Sequence, residues 1–299
     1  MQHGLKDIIE SALIVFKDGA YLWKYQNCSD LFAVLECADC GKRKAIFTGC
    51  GLRICPECSK RRAKKLYKKY LRIFKALSSL GVLSLLTLTV RNSPTIEEGL
   101  IKLMEGWRKL KRRKYFLKRV KGGILVVEVK LGKDGRWNLH AHLLIIHRYF
   151  GIPNPDEIKS LVIPERLKKT KGIKSNSDLL KPHKGLGQVI LSVLWENITG
   201  DYVVDIRKVR SIKKGLGYVV KYLLKPPKFE SPEHYVEWLE AFWKQPLLIP
   251  FGCVRNYGDG EESYHPICLL CGSSNFTFVC ICLRVDLDYW LKPEGVDYG

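Results

Sequence analysis

Two apolar runs joined through a short turn restrict this chain more than any other feature. ILVVEVK begins at Ile124, Lys133-Asp134-Gly135 supplies the turn, and NLHAHLLII follows from Asn138. Asp-Gly is favoured in β-hairpins because glycine accepts the left-handed backbone that such turns need. The two runs therefore pair antiparallel. Side chains at i and i+2 on a strand share a face. His140 and His142 thus project together, with Ala141 on the other side, and Glu128 of the first run can lie beside them. Two imidazoles and a carboxylate leave coordination positions open on a divalent ion, which is what binding and polarising a substrate oxygen requires. His147 falls beyond the strand's end.

The remaining elements fit around that hairpin. LSLLTLTV (Leu83–Val90) is rich in apolar and β-branched residues and ends at Asn92-Ser93-Pro94, so it reads as a buried strand. A helix runs from there to about Val120, stopped by Gly122-Gly123. ILSVLWENITG reads as a helix ending at Gly200, YVVDIRKV as a strand, and SIKKGLGYVVKYLLK as a helix stopped by Pro226-Pro227. The expected fold class is α+β: a central antiparallel sheet with helices packed on one side, an N-terminal zinc module, and a small C-terminal module like a zinc ribbon. The boundaries read as 1–27, a short extension; 28–78, the zinc module and its basic helix; 79–230, the sheet domain; and 231–299, the C-terminal region.

Cysteines and charge set the partners. Eleven cysteines occur with no signal-peptide-like N-terminus, so a cytoplasmic setting and metal ligation are expected rather than disulfides. The longest apolar run, GVLSLLTLTV, is too short to span a bilayer. Cys37, Cys40, Cys55 and Cys58 form two C-x-x-C pairs suited to a structural zinc ion, with Cys50 able to replace one of them. Cys268, Cys271, Cys280 and Cys282 make a second zinc set, in which His265 or Cys253 could substitute. The formal net charge is +21, and two acid-free segments, Ser59–Lys75 and Arg108–Lys121, supply 18 of it with nine Lys and Arg each. Solvated helix faces mix Glu with Lys, and unmixed ones suit a polyanion. Arg61, Arg62, Lys64, Lys65, Lys68 and Lys69 on the first, and Arg108, Lys111, Arg112 and Arg113 on the second, are the candidate DNA contacts.

YVVKYLLK (Tyr218–Lys225) repeats Tyr-x-x-Lys, which places Tyr218 beside Tyr222 and Lys221 beside Lys225 on a helix. A tyrosine hydroxyl with its ordinary pKa of about 10 is a weak nucleophile, made competent by a polarised phosphate and nearby lysines.

LLTLTV, NLHAHLLI and YVVKYLLK, in that order, resemble the three motifs of HUH endonucleases, specifically rolling-circle replication initiators of plasmids and phages and the related transposases. The zinc segment C-x4-C-P-x-C with trailing basic residues is similar to one found in some of them, and the resemblance covers about residues 37–228. It implies nicking of single-stranded DNA at an origin or origin hairpin through a 5′-phosphotyrosine, with Mg²⁺ or Mn²⁺ held by His140, His142 and Glu128. It also implies a host helicase and polymerase as partners, and no membrane. Ala141 departs from the family's bulky apolar residue. Where some relatives carry glutamate this chain has Tyr218, as two-tyrosine phage initiators do. Tyr222 is expected to cut first and Tyr218 second. A rolling-circle transposase, and a non-catalytic zinc-containing DNA-binding regulator, are the alternatives. The regulator leaves the histidine and tyrosine pairs without a role.

Overall fold

The structure, a computed structural model, describes residues 2–182, 184–224, 228–243, 245–257 and 267–291. In chain order the first elements are α1 (Gln2–Val15), α2 (Leu22–Gln26), β1 (Leu31–Cys37), β2 (Arg43–Phe47), α3 (Pro56–Ala76) and β3 (Val82–Thr89). They are followed by α4 (Ile96–Leu110), α5 (Lys114–Arg119), β4 (Val120–Leu131), β5 (Trp137–His147), α6 (Pro155–Ile158), α7 (Glu165–Lys171) and α8 (Leu186–Thr199). The chain closes with β6 (Val204–Lys208), α9 (Ile212–Leu224), α10 (Pro232–Phe242), β7 (Leu248–Gly252), α11 (Cys253–Asn256), β8 (Phe276–Leu283) and α12 (Leu287–Leu291).

These elements form two units, and the larger spans Lys60–Phe229 and Glu237–Tyr257. Its core is a five-stranded sheet in the order β6-β3-β5-β4-β7, with every neighbouring pair antiparallel. The α+β class with a central antiparallel sheet is as the sequence implies. The β4–β5 hairpin closes through Gly135 at φ 71°, while the Asp134 carboxylate accepts from the Arg136 backbone N–H at 3.2 Å. Glycine reaches that φ without a Cβ clash.

Helices cover both faces of this sheet, where the sequence suggested one. On one face, Tyr70, Ile73 and Phe74 of α3 and Leu216, Val219, Val220 and Leu223 of α9 pack with Ile124, Val126, Leu144 and Ile146. The α9 residues recur at helical spacing, which is why that stripe is the one buried. On the other face lies α4, whose Gly99 backbone comes so close that a Cβ there would stand 2.5 Å from the Leu139 side chain. Beside α4, the buried Trp195 of α8 donates to the Thr89 carbonyl oxygen at 2.8 Å. Thr95 caps α4 by accepting from the Glu98 N–H at 3.2 Å, with Glu97 and Glu98 in the first turn and Arg108 and Lys109 in the last. Both ends complement the helix dipole.

The expected helix to Val120 is broken. It stops at Leu110, Arg113 is extended at φ −66° and ψ 133°, and a short second helix, α5, carries the remaining basic residues. Gly122 and Gly123 are not helix breakers but lie within β4. A Cβ on Gly123 would stand 2.3 Å from the Leu144 carbonyl oxygen and 3.1 Å from the Phe251 ring, so the glycine lets β5 and β7 close on β4. Propensity read the pair as punctuation, and tertiary approach gives it another use.

The second unit comprises residues 1–59, 230–236 and 258–299. Within it α1 buries Ile9, Ala12 and Leu13, so the short extension, whose structure the sequence left open, holds a packed helix. A three-stranded sheet in the order β2-β1-β8 pairs residues 31–37 with residues 276–283. The N- and C-terminal cysteine groups therefore share one unit, where the sequence suggested separate modules bounded at 28–78 and 231–299.

Candidate active site and metal sites

Three adjacent strands of the large sheet change character at one level. Leu83 and Leu85 give way to Thr87 and Thr89 on β3, Leu144 and Ile146 to His142 and His140 on β5, and Ile124 and Val126 to Glu128 on β4. The register places Thr87 opposite His142, Thr89 opposite His140, and Glu128 opposite His140 on its other side. All five polar side chains have the parity of the face that α3 and α9 cover, so the apolar core runs directly into the site.

The side chains join into a chain of contacts. Thr87 Oγ1 is 3.2 Å from His142 Nδ1, and Thr89 Oγ1 is 2.8 Å from His140 Nδ1. His142 Nε2 is 2.9 Å from Glu128 Oε2, and Lys130 reaches Glu128 Oε1 at 3.1 Å. From α9, the Tyr222 ring stacks on His142 with centroids 3.9 Å apart and planes 2° from parallel. Tyr218 meets His142 edge-on at 5.9 Å and Tyr222 at 5.5 Å. Lys221 Nζ sits 3.8 Å from the Tyr218 ring centroid and 4.7 Å from that of Tyr222, within cation–π range. The structure thus brings together Glu128, His140, His142, Tyr218, Lys221 and Tyr222. Lys225 lies outside the described residues.

Burial sets the electrostatics. Desolvation disfavours the charged imidazole and pulls the His140 pKa down to about 4, so the ring is neutral near pH 7. Burial pushes the Glu128 carboxyl up, but hydrogen bonds from His142 and Lys130 outweigh it and hold Glu128 below the ordinary range. Burial, the Tyr218 hydroxyl and the Glu128 charge all raise the Tyr222 phenol above its usual value. Two imidazoles beside a carboxylate are nitrogen and oxygen donors of the kind that can bind a divalent cation. The three are more widely spaced than the cysteine ligands described next: His140 and His142 have ring centroids 6.0 Å apart.

Two cysteine quartets are drawn together, and among the described residues they are the groups whose ligand atoms all lie within 4.8 Å of one another. The first is Cys28, Cys50, Cys55 and Cys58, with Sγ–Sγ separations of 3.4 to 3.6 Å. The second is Cys37, Cys40, Cys268 and Cys271, at 3.5 Å for both Cys37–Cys271 and Cys40–Cys268. Four thiolates about 2.3 Å from a central ion fit such spacings, so each quartet could hold structural zinc.

The membership corrects the sequence reading. Cys37 and Cys40 do not cluster with Cys55 and Cys58, and Cys280 and Cys282 belong to neither quartet. Instead Cys28 and Cys50 complete the first quartet. Antiparallel pairing of β8 with β1 sets the Cys268–Cys271 knuckle against Cys37 and Cys40 at the end of β1, while Cys280 and Cys282 sit along the strand itself. Cys253 lies in α11 of the large unit, and His265 lies outside the described residues. Backbone donors support the thiolates: Cys50 N–H points to Cys28 Sγ at 3.4 Å and Gly51 N–H to Cys58 Sγ at 3.3 Å. N–H groups of the knuckle, at Cys271 and Leu270, hold the Cys268 thiol down to about 6.

The expected DNA contacts divide between the sheet's faces. On α3, which shares the site's face, Lys64, Lys65 and Lys68 are exposed and Arg61, Arg62 and Lys69 half-buried. Arg108, Arg112 and Arg113 are exposed at the end of α4, on the opposite face, and Lys111 is half-buried with its Nζ 5.9 Å from the Trp107 ring centroid. The residues missed by sequence reasoning are Thr87 and Thr89. Their signal was present in LLTLTV, as two hydroxyls with the histidines' spacing on a strand of the same sheet.

Among the described residues no helix is long and apolar enough to cross a membrane. Neither a curated protein nor a solved structure matches the chain. Residues 42–152, which hold the threonine strand and the two-histidine hairpin but not the tyrosine helix, match the family model described as Rep_1, replication protein.

Proposed function

We propose that this chain is a replication protein, a DNA-nicking and -joining enzyme that opens single-stranded DNA at a replication origin by covalent attack of a tyrosine. The observation that carries the reading is the face-to-face stacking of Tyr222 on His142 at 3.9 Å, with His142 bonded to Glu128. Tyr222 packs against the apolar core of this face, and the stack puts its ring at the boundary where that core meets the histidine–carboxylate set. The replication-protein match over residues 42–152 and the basic α3 on the same face support it.

In the proposed step the Tyr222 oxygen bonds to phosphorus, the P–O3′ bond breaks, and the phenol's proton leaves to solvent while the freed 3′ oxygen takes one up. The product is a 5′-phosphotyrosine and a 3′-hydroxyl for a polymerase. His140, His142 and Glu128 would hold Mg²⁺ or Mn²⁺, which when bound draws charge from the scissile phosphate. Lys221, above both tyrosine rings, favours the phenolate that burial otherwise disfavours. Tyr218 makes the second attack, one helical turn away. The exposed lysines of α3 hold the strand, and host helicase and polymerase act on the opened origin. The two quartets hold structural zinc.

The test is incubation with labelled single-stranded DNA pools and Mn²⁺, followed by denaturing electrophoresis. A protein–DNA band that resists denaturation, and that does not form when a chelator is present during the incubation, is expected. Its absence across a broad range of sequences would overturn the proposal in favour of a non-catalytic DNA-binding regulator.

A further inference from the structure

We infer that Thr87 and Thr89 are positioning residues that fix which ring nitrogen of His142 and His140 is left to bind a metal ion. The inference rests on reading the histidine pair as ligands of a divalent ion and adds to it two residues from a different strand.

The geometry is paired twice over. Register alone sets Thr87 opposite His142 and Thr89 opposite His140, and in both pairs the contact runs from Oγ1 to Nδ1, never to Nε2. The same strand carries leucine at the two preceding positions of this face, Leu83 and Leu85, which pack into the core. Threonine appears only at the level where β5 turns from leucine and isoleucine to histidine. Valine would fill the same volume on a strand and suits the pleat equally well. What threonine adds is one oxygen, placed where a strand-borne imidazole presents Nδ1.

That oxygen matters because a neutral imidazole carries one proton, on either nitrogen, and binds metal through the other. A hydroxyl that accepts from Nδ1–H leaves the lone pair on Nε2. For His142, Nε2 faces Glu128 at 2.9 Å and donates to it without metal; an ion bound there would replace that proton, and Thr87 would then hold the proton on Nδ1. His142 is thus held between two strands, by the Thr87 hydroxyl on Nδ1 and the Glu128 carboxylate on Nε2, and His140 is held by the Thr89 hydroxyl on Nδ1. Partners that set tautomer and ring orientation commonly change metal affinity by about 10–100-fold. The threonine hydroxyl can also rotate to donate, so in the absence of metal it accommodates a His142 that gives its proton to Glu128.

The experiment measures Mn²⁺ affinity by electron paramagnetic resonance on the zinc-replete full chain, for wild type, Thr87→Val, Thr89→Val, the two Thr→Ser variants and His140→Ala. The valine variants should bind Mn²⁺ roughly tenfold more weakly or worse, and the serine variants within about twofold of wild type. Thermal midpoints without Mn²⁺ should match among all of them. Valine variants that fold and bind Mn²⁺ like wild type, while His140→Ala does not, would overturn the threonine assignment and leave the metal reading intact. Wild-type protein that binds no Mn²⁺ would remove both. Should the valine variants fail to fold, the His140 ring of metal-free wild type decides by ¹⁵N NMR. Protonation at Nδ1 is expected, and protonation at Nε2 would overturn the inference.

Discussion

His142 is restrained on three sides, by Thr87 at Nδ1, Glu128 at Nε2 and the Tyr222 ring across its face. On this arrangement His140→Ala and His142→Ala each abolish the covalent adduct, by at least about two orders of magnitude, the scale of a missing charge-stabilising group. DNA affinity should stay within a few fold if, as proposed, the exposed lysines of α3 carry it. Equal loss of binding and cleavage would show the histidines to be structural. Glu128→Ala should act in the same direction but less, since water can occupy the vacated carboxylate position. Of this site the histidines, the glutamate and the tyrosines were legible in the sequence, because strand parity and helical spacing are local rules. The threonines were not singled out, because their meaning depends on which strand lies beside β5 and in what register.

At the scale of elements, α3 and the β4–β7 seam make separable predictions. Replacing Lys64, Lys65 and Lys68 of α3 together by Glu should weaken binding of single-stranded DNA and flatten its salt dependence. The slope of log K against log salt should shrink by about 0.7 for each phosphate that a lysine no longer neutralises. The same change at Arg108, Arg112 and Arg113, on the far face, should cost much less. Titrations at several salt concentrations check both. At the seam, Gly123→Ala forces a Cβ to within 2.3 Å of the Leu144 carbonyl oxygen. It should destabilise the large unit by about 1–3 kcal/mol, the usual cost of overpacking, read from denaturant unfolding. The hairpin was legible because its turn and both strands are contiguous. The break between α4 and α5 was not, since the basic run keeps helical propensity straight through Arg113, and only docking of both helices onto the fold fixes the bend. Gly122 and Gly123 misled for the same reason: their neighbours Phe251 and Leu144 come from distant sequence.

At the scale of the whole molecule, metal content distinguishes the observed quartets from pairings by sequence proximity. Purified protein should contain two zinc ions per chain. Cys28→Ser should remove one, Cys268→Ser the other, and Cys280→Ser neither, as read by elemental analysis. Loss of zinc should lower thermal stability, because the folding of such sites is tied to the metal. That the cysteines would gather into quartets was legible from the C-x-x-C spacings, but the partners were not: Cys37 and Cys271 are separated by 234 positions and meet only because β8 returns beside β1. The central claim, that a tyrosine of α9 attacks DNA over the two-histidine face, is tested most directly by peptide mapping of the covalent adduct formed with Mn²⁺. Wild type should be linked mainly at Tyr222. Tyr222→Phe should strongly reduce the adduct, Tyr218→Phe should reduce it less, and the double variant should form none. A double variant that still links DNA at the wild-type level would contradict the account and return both tyrosines to packing.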